Sequence, residues 1–257
     1  MLDHSVIFPT LAFLFAAGFC SGAMNSLAGG GSFVSVPAMI ATGMPAVLAN
    51  TSSTIALWPG TIASALIYPN SFRSICGVGK WPMLIVTLVG GLIGSLLLLH
   101  TPSSSFTIML PWLLLLATLA LAFGRRIAIA IEGRFHGSPL VLVAQFILGI
   151  YGGYFGGAAS VMMLAVWCLF GETDIKALQG PRSLLITAAN TVAIIIFLFA
   201  RAVLWPQTLA MLAGSLIGGI GGAQLGRVTP SHLVRIVTLG ITIAITCAFF
   251  IKTYWRH

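Results

Sequence analysis

The sequence predicts an all-helical integral membrane protein with two homologous halves of four to five hydrophobic segments each. The first observation is composition, because 58% of the 257 residues are hydrophobic, only 6% are charged, and the mean hydropathy is +1.07. Such a chain has too little polar surface to cover a water-soluble globule, so most of its surface must face lipid. The second observation is an internal repeat, and the third is a series of apolar runs of about 20 residues, the length of a membrane-crossing helix.

The internal repeat relates the first half of the chain to the second. The motif Thr-Pro-Ser at 101–103 recurs at 229–231, a shift of 128 residues. Trp-Pro at 81–82 and Leu-Ile-Gly at 92–94 recur with a shift of 124, and changes in the shift are loop insertions, which cost little. Three motifs in the same order indicate homologous bundles, the ground plan of many secondary transporters. Upstream glycines also repeat, Gly29 with Gly157, Gly43 with Gly171, Gly18 with Gly149, and Gly22 with Gly153.

The apolar runs define the predicted helices in chain order. Eight are long enough to cross a bilayer, at 6–28, 47–68, 81–99, 106–123, 139–157, 183–200, 205–224 and 232–252. Two shorter stretches, 32–43 and 160–170, each follow a glycine-rich break. The predicted organisation is a first repeat bundle at 1–123, a polar connecting loop at 124–138 and a second repeat bundle at 139–257.

The two short stretches decide how the halves are related. If each crosses separately, every half has five segments and the halves are inverted; otherwise each half has four and the halves are parallel. The five-plus-five layout places nine Lys and Arg residues on one side and three on the other, against eight and four for the alternative. Because cytoplasmic loops carry excess positive charge, we predict inverted halves with both termini outside, and the sequence leaves the parallel arrangement open.

The glycine-rich breaks are the first candidates for a substrate site. Backbone freed from helical pairing is tolerated inside a membrane only where it lines a cavity or is buried in protein, and glycine lets a ligand approach closely. Ser32 and Ser160 are predicted to cap the short helices, whose N-terminal amides and dipole favour an anion. Close packing of small residues is the alternative explanation. The candidates are Gly29, Gly30, Gly31 and Ser32 in one half and Gly156, Gly157 and Ser160 in the other.

Polar residues at two matched helix openings are the second group of candidates. A run of five hydrogen-bonding residues at 50–54 is more than one N-cap requires, although ordinary capping remains the alternative. Its counterpart in the second half is 179–183. A polar side chain inside the run 183–200 is also expected to face the bundle interior. These candidates are Asn50, Thr51, Ser52, Ser53, Gln179, Arg182 and Asn190.

Charge favours an anionic substrate. Arg182 begins an apolar helix, where it could reach inward to an anion or outward to lipid headgroups, and the sequence does not separate the two. The chain has four carboxylates, and none lies inside a hydrophobic run, whereas a cation path would ordinarily need such groups. They are Asp3, Glu132, Glu172 and Asp174.

Other functional classes find little support. The net charge of +8 is spread singly or in pairs at the ends of apolar runs, the pattern of topogenic loop charge and not of a nucleic-acid-binding patch. The four cysteines stand far apart, without a C-x-x-C pair or a neighbouring His, so we expect no metal and no cofactor. No His, Cys or carboxylate cluster lies near the proposed cavity, so we expect no enzyme. The glycine faces are compatible with a homodimer.

The chain resembles the sulfite exporter TauE/SafE family of membrane transporters over nearly its whole length. In the first half the resemblance rests on the glycine run at 29–31 with Ser32, Pro37 and Gly43, and on the stretches 49–52 and 56–60. In the second half it rests on the stretch 151–156, on Arg182, and on Asn190 with Ala193 and Phe197. Where that family has Asn-Ala-Leu-Lys, this chain has Gln-Gly-Pro-Arg at 179–182, and an Arg fork in place of a Lys point charge favours a different anion.

The resemblance implies a multi-pass transporter of the bacterial inner membrane. Its expected substrate is a small, sulfur-containing anion such as sulfite or a sulfonate, moved by alternating access between the halves. A carrier for a small carboxylate and a non-transporting assembly or sensory protein are the alternatives. A sensor should bring a soluble domain, and the longest polar connection, 124–138, is too short to be one.

Overall fold

The computed structural model describes residues 4–67, 74–131, 138–156, 159–172 and 177–255. In these ranges the chain forms ten α-helices and no strand, with one isolated bridge between Ile75 and Val78. The helices are α1 (His4–Ala28), α2 (Ser32–Ala41), α3 (Ala46–Ile67), α4 (Lys80–His100), α5 (Ser103–Ile131), α6 (Ser138–Phe155), α7 (Ala159–Leu169), α8 (Gln179–Phe199), α9 (Trp205–Val228) and α10 (Ser231–Tyr254). They reproduce all ten predicted segments in order.

Seven helices in the described part of the chain have the length and hydropathy to cross a membrane, namely α1, α4, α5, α6, α8, α9 and α10. Helix α3 has 22 residues but carries the polar run 50–54, and α2 and α7 are short apolar helices. The protein is therefore a multi-pass membrane protein whose seven candidate spanning helices are accompanied by one long helix with a polar run and two helices too short to cross the bilayer upright.

Two glycine seams hold the halves to each other. Helices α1 and α9 run in the same direction, because a Cβ atom added at Gly214 would overlap Phe15 O and one added at Gly218 would overlap Phe19 O. Helices α4 and α6 form the equivalent parallel seam, with Gly94 against Ile150 and Gly153 against Gly91. Helices α1 and α4 belong to the first half, and α6 and α9 belong to the second. Each seam therefore contains one helix from each half.

Equivalent helices of the two halves meet in antiparallel pairs. Thr118 on α5 and Thr246 on α10, which are 128 residues apart, share a hydrogen bond of 3.1 Å. Toward one end of the same pair Tyr254 Oη donates to Ile108 O at 3.1 Å. Helices α3 and α8 pair similarly, with Trp58 Nε1 donating to Thr191 Oγ1 at 3.0 Å and Thr187 Oγ1 donating to Thr61 O at 2.9 Å.

The predicted connecting loop at 124–138 begins too early. Helix α5 continues to Ile131, seven residues beyond the predicted loop start at 124, and α6 begins at Ser138. The two arginines at 125–126 do not end the helix, because Arg is a good helix former and the segment 127–131 alternates Ile and Ala. Residues 132–137 lie outside the described part of the chain.

Candidate functional site

A small polar cavity lies where the ends of α1 and α6 meet. Its volume is about 40 Å³. Eight of its ten lining residues are Ser, Thr, Asn or Gly from both halves, and none of the ten carries a charge. The lining residues are Asn25, Gly29, Ser32, Thr54, Leu57, Thr61, Gly156, Ser160, Ile186 and Asn190.

The cavity wall is built from matched positions of the two halves. Ser32 and Ser160 correspond at the shift of 128 residues. Between α3 and α8 the shift is 129, the spacing that relates the segments 50–54 and 179–183. At that shift Leu57 corresponds to Ile186 and Thr61 to Asn190, and all four residues line the cavity. Six of the ten lining residues thus form three equivalent pairs, so the site lies between the halves.

The two breaks come into direct contact at this cavity. Ser160 Oγ donates to Gly29 O at 3.3 Å, and Thr54 Oγ1 lies near Gly156. Gly29 and Gly156 both have positive φ, +79° and +70°. A Cβ atom at Gly29 would also lie 2.5 Å from Ser160 Oγ. Only glycine meets both constraints at Gly29, because a larger residue would be strained and would fill the space.

The predicted serine N-caps are wrong. The N-cap of α2 is Gly31, without a side-chain cap, and Ser32 is the first residue of the helix. Ser160 is the second residue of α7, and its hydroxyl bonds across to the other half. The amides of Phe33 and Val34 already donate to Gly30 O and Gly31 O, at 3.1 and 3.0 Å. An anion would therefore be held mainly by side chains and not by a row of helix N–H groups.

Asn190 is the polar side chain best placed to bind a ligand. It is 5% exposed, as expected for a residue facing the bundle interior, and its Oδ1 has no hydrogen-bond partner. A buried polar atom without a partner costs about 1–3 kcal/mol, so its retention on a cavity wall indicates an external partner. Rotating the amide by half a turn would present the NH₂ group to the same space.

The polar run 50–54 is buried one turn inside α3, not at its opening, because the helix begins at Ala46. Four of its members bind other elements instead of lining the cavity. Asn50 Nδ2 donates to Tyr154 O at 3.0 Å, and Ser53 Oγ lies 2.5 Å from Ser35 Oγ. Thr51 Oγ1 donates to Ala202 O, while Ser52 Oγ accepts from Leu204 N at 3.3 Å. These four residues attach α3 to α6, α2 and the α8–α9 connection.

Gln179 and Arg182 also lie outside the cavity wall, in the first turn of α8. Arg182, Ile186 and Asn190 are spaced by four and share one helix face, so Arg182 lies about 6 Å along the axis beyond Ile186. Gly30 and Gly31 pack against α1. Gly157 lies outside the described residues. The structure thus brings Gly29, Ser32, Gly156, Ser160 and Asn190 together at the cavity, and leaves the other candidates around it.

Sequence reasoning missed several wall residues. Asn25 is one polar residue near the end of a long apolar run and carries no motif. Leu57 and Thr61 lie about one and two turns beyond the polar run, where composition looks ordinary. The repeat was the available signal, because it equates Thr61 with Asn190 and Leu57 with Ile186.

A multi-pass helical bundle with two related halves and a polar cavity between them defines a membrane transporter. Comparison with known families agrees, because the family described as Sulfite exporter TauE/SafE matches residues 14–249. The chain belongs to this family, and the resemblance seen in the sequence is confirmed.

Curated relatives cover nearly the whole chain. A Haemophilus influenzae protein named "Probable membrane transporter protein" is 28% identical over 257 residues, which are 96% of this chain and 97% of the relative. "Probable membrane transporter protein YfcA" of Escherichia coli K12 is 28% identical over 230 residues, covering 88% and 84%. "Probable membrane transporter protein ORF9" of a Sinorhizobium species is 28% identical, covering 94% and 93%. No solved structure matches the chain significantly.

Proposed function

We propose that this transporter is a secondary carrier of a small sulfur-containing anion, such as sulfite or a sulfonate, in the bacterial inner membrane. The observation that carries the proposal is the cavity between the halves, whose polar groups are hydroxyls and amides and whose wall contains no carboxylate. Hydroxyl and amide N–H groups can all donate to an oxyanion. The family name supports the sulfur chemistry, and the lining supports the sign of the charge.

The carrier works by alternating access of two inverted halves. Support comes from the antiparallel pairing of α5 with α10 and of α3 with α8, because equivalent helices run antiparallel when the halves are inverted. In such an arrangement each conformation of one half can be adopted by the other, which opens the shared site first to one side of the membrane and then to the other.

The cavity widens when the anion binds. A volume of about 40 Å³ has room for one or two water molecules but not for a hydrated oxyanion. The hydrogen bond between Ser160 and Gly29 joins the two breaks at the cavity, so separating these two residues would enlarge the site from both halves at once. Binding energy from the anion would then offset the loss of this contact.

Arg182 supplies the positive charge near the site. It lies one turn beyond the cavity on the face of α8 that carries Ile186 and Asn190. At this distance a guanidinium attracts an anion into the bundle without closing the cavity, and its planar fork can bind an oxyanion through two N–H groups.

The test is anion flux through purified protein in proteoliposomes. Sulfite, sulfate, thiosulfate, methanesulfonate and acetate are compared, and the same anions are screened for a rise in melting temperature, which reports binding by linkage. Sulfite or methanesulfonate should be carried and should stabilise the protein selectively. Transport of acetate alone would show that the substrate is a carboxylate and not a sulfur-containing anion. Absence of flux for all five anions would overturn the proposal.

Variants of Arg182 refine the test. Arg182→Ala should abolish flux while the protein stays folded, and Arg182→Lys should retain part of it because the charge is kept. The matched control is Ile195→Ala on the exposed face of α8, which should behave as wild type. Unchanged flux in Arg182→Ala would remove this residue from the path of the anion.

A further inference from the structure

A second and larger cavity adjoins the polar site. It has a volume of about 370 Å³ and lies between α1, α3 and α9. We call it the α9 vestibule, and its lining residues are Gly22, Asn25, Ser26, Leu57, Pro59, Gly60, Ala63, Ser64, Ser215, Leu216, Gly219, Ile220, Ala223 and Gln224.

Two residues belong to both cavities. Asn25 and Leu57 line the polar site on one side and the α9 vestibule on the other. They form the partition between the two spaces, and Asn25 is its polar member. A small outward movement of this partition would join the two cavities into one continuous space.

The equivalent region of the other half is closed. At the shift of 129 residues, Gly60 and Ser64 of the vestibule correspond to Ala189 and Ala193 of α8, which are both 0% exposed. Ala189 packs between α4 and α6, where a Cβ atom at Gly91 would lie 3.2 Å from its Cα, and Ala193 belongs to a hydrophobic core cluster. By contrast Gly60 is exposed. The bundle thus opens beside α3 and is sealed beside α8.

The wall of the vestibule carries side-chain amides on two of its three helices, Asn25 on α1 and Gln224 on α9. Three hydroxyls also lie on the wall, and each donates to a backbone carbonyl: Ser26 to Ala23 O at 2.9 Å, Ser64 to Gly60 O at 3.0 Å and Ser215 to Ala56 O at 2.7 Å. Most of the remaining lining is glycine or apolar, so the two amides are the groups that can bind water or an anion along the passage.

We propose that the α9 vestibule is the access path through which a small sulfur oxyanion enters the polar site from one face of the membrane, with Asn25 at the partition. This inference rests on the proposed function. It assigns the open side to α1, α3 and α9, and it assigns the closed counterpart to α4, α6 and α8.

The test is thiol labelling in a cysteine-free background, made by replacing Cys20, Cys76, Cys168 and Cys247 with Ser. Cysteine is then placed at Gly60 or Ser64 in the vestibule, and at Ala193 as the equivalent of Ser64. A cysteine at Gly60 is sterically acceptable, because a Cβ atom there meets only Asn25 Nδ2 at 3.9 Å. Ala213→Cys, exposed on the outer face of α9, is the lipid-facing control.

The probes are two membrane-impermeant methanethiosulfonates of similar size, one carrying a sulfonate and the other a quaternary ammonium. Each rate is divided by that reagent's rate with a free thiol, and vesicles of known orientation are labelled from each face. Gly60→Cys and Ser64→Cys should react at least about tenfold faster than Ala213→Cys and Ala193→Cys, from one face, with the anionic reagent favoured.

Three results would overturn the assignment of the path. They are rates at Ser64→Cys no higher than at Ala213→Cys, equal labelling from both faces, and preference for the cationic reagent. The outcome is independent of the flux assay, because labelling measures access of a water-soluble reagent. Fast labelling from one face in a protein that carries none of the five anions would contradict the proposed function but would still support the vestibule as a water-accessible passage.

Discussion

The corner formed by α1, α3 and α9 and the corner formed by α4, α6 and α8 are built from equivalent segments but packed differently. Both contain a parallel seam of glycines in which backbones touch directly, α1 on α9 and α4 on α6. The third helix differs. In the second corner α8 fills the groove beside the seam with Ala189, whereas in the first α3 contacts α9 where Ser215 Oγ donates to Ala56 O at 2.7 Å and leaves the vestibule farther along, beside Gly60.

This difference separates tightly packed helix contacts from looser ones. Close backbone contact at glycine leaves little room for one helix to shift on the other, so each seam is expected to behave as a rigid unit. The contacts of α3 and α8 with the seams involve small side chains and are unequal in extent. Under the proposed alternating access, this inequality is what a carrier open toward one side of the membrane would show.

The largest expected effect comes from breaking a seam. Gly218→Ala would place a methyl group on Phe19 O, and Gly94→Ala would place one on Ile150 O. Because the obstacle is backbone, each should cost about 3 kcal/mol or more and lower the melting temperature in detergent sharply. Gly240→Ala is the control, since no atom lies within 4 Å of its added Cβ. It should be neutral or stabilising by up to about 1 kcal/mol. A large drop in melting temperature for only one of the two variants would show that the two seams do not contribute equally to stability.

The second comparison is between equivalent residues of the polar cavity. Asn190→Ala removes a buried amide whose Oδ1 has no partner, so stability should not fall, whereas losing its hydrogen bond to an anion should weaken binding about tenfold. Thr61 is the equivalent position, and its hydroxyl is already bonded to Trp58 O at 2.8 Å. Thr61→Val should therefore change anion affinity less. Anion-induced shifts in melting temperature measure both, and a drop in the unliganded melting temperature of Asn190→Ala would favour a structural role.

The helices were more predictable from the sequence than the site. Apolar runs about 20 residues long form helices in a bilayer, because a helix satisfies every backbone hydrogen bond internally. All ten segments were therefore predicted in order. The glycine breaks were informative because positive φ at Gly29 and Gly156 restricts those positions to glycine.

Individual polar residues were much harder to assign. Asn50 and Ser53 share their residue types with a binding site, yet they bond to Tyr154 and Ser35 and hold helices together. Which partner a buried hydroxyl or amide finds depends on tertiary contacts between residues up to 159 positions apart in the sequence. Asn25 is the opposite case, a residue that the sequence did not predict as part of the site. A single amide in an apolar run forms no pattern, and its position is informative only because cavities lie on both sides of it.

A third and smaller effect concerns the connection between α8 and α9. Arg201 and Cys76 are the two described non-glycine residues with positive φ, +53° and +50°, and each lies in the connection that precedes a helix with a Trp-Pro start, α9 for Arg201 and α4 for Cys76. In the second half Thr51 bonds to Ala202 O beside it. Thr51→Val leaves this carbonyl without its partner and should cost about 1–3 kcal/mol. Thermal unfolding measures it against Thr107→Val, whose hydroxyl bonds only within its own helix. Equal melting temperatures would show that the turn does not depend on Thr51.

The connection before α4 is held by an acidic side chain, and its effect is the smallest and most local. Cys76 N donates to Glu172 Oε1 at 2.6 Å. Burial, followed by the nearby Glu172 carboxylate, raises the pKa of the Cys76 thiol to about 12. The thiol therefore binds its proton more tightly in the folded protein, so its contribution to stability is complete below about pH 9 and is lost as the pH rises toward 12.

Glu172→Gln removes the negative charge and should lower this pKa, since the thiolate is then no longer repelled. Alkylation of Cys76 by iodoacetamide at pH 8.5, followed peptide by peptide with mass spectrometry, should be slow in the wild type and about tenfold faster in the variant for each pKa unit lost. Glu172→Asp keeps the charge and controls for the change in size. Equal rates in Glu172→Gln and wild type would mean that burial alone protects the thiol.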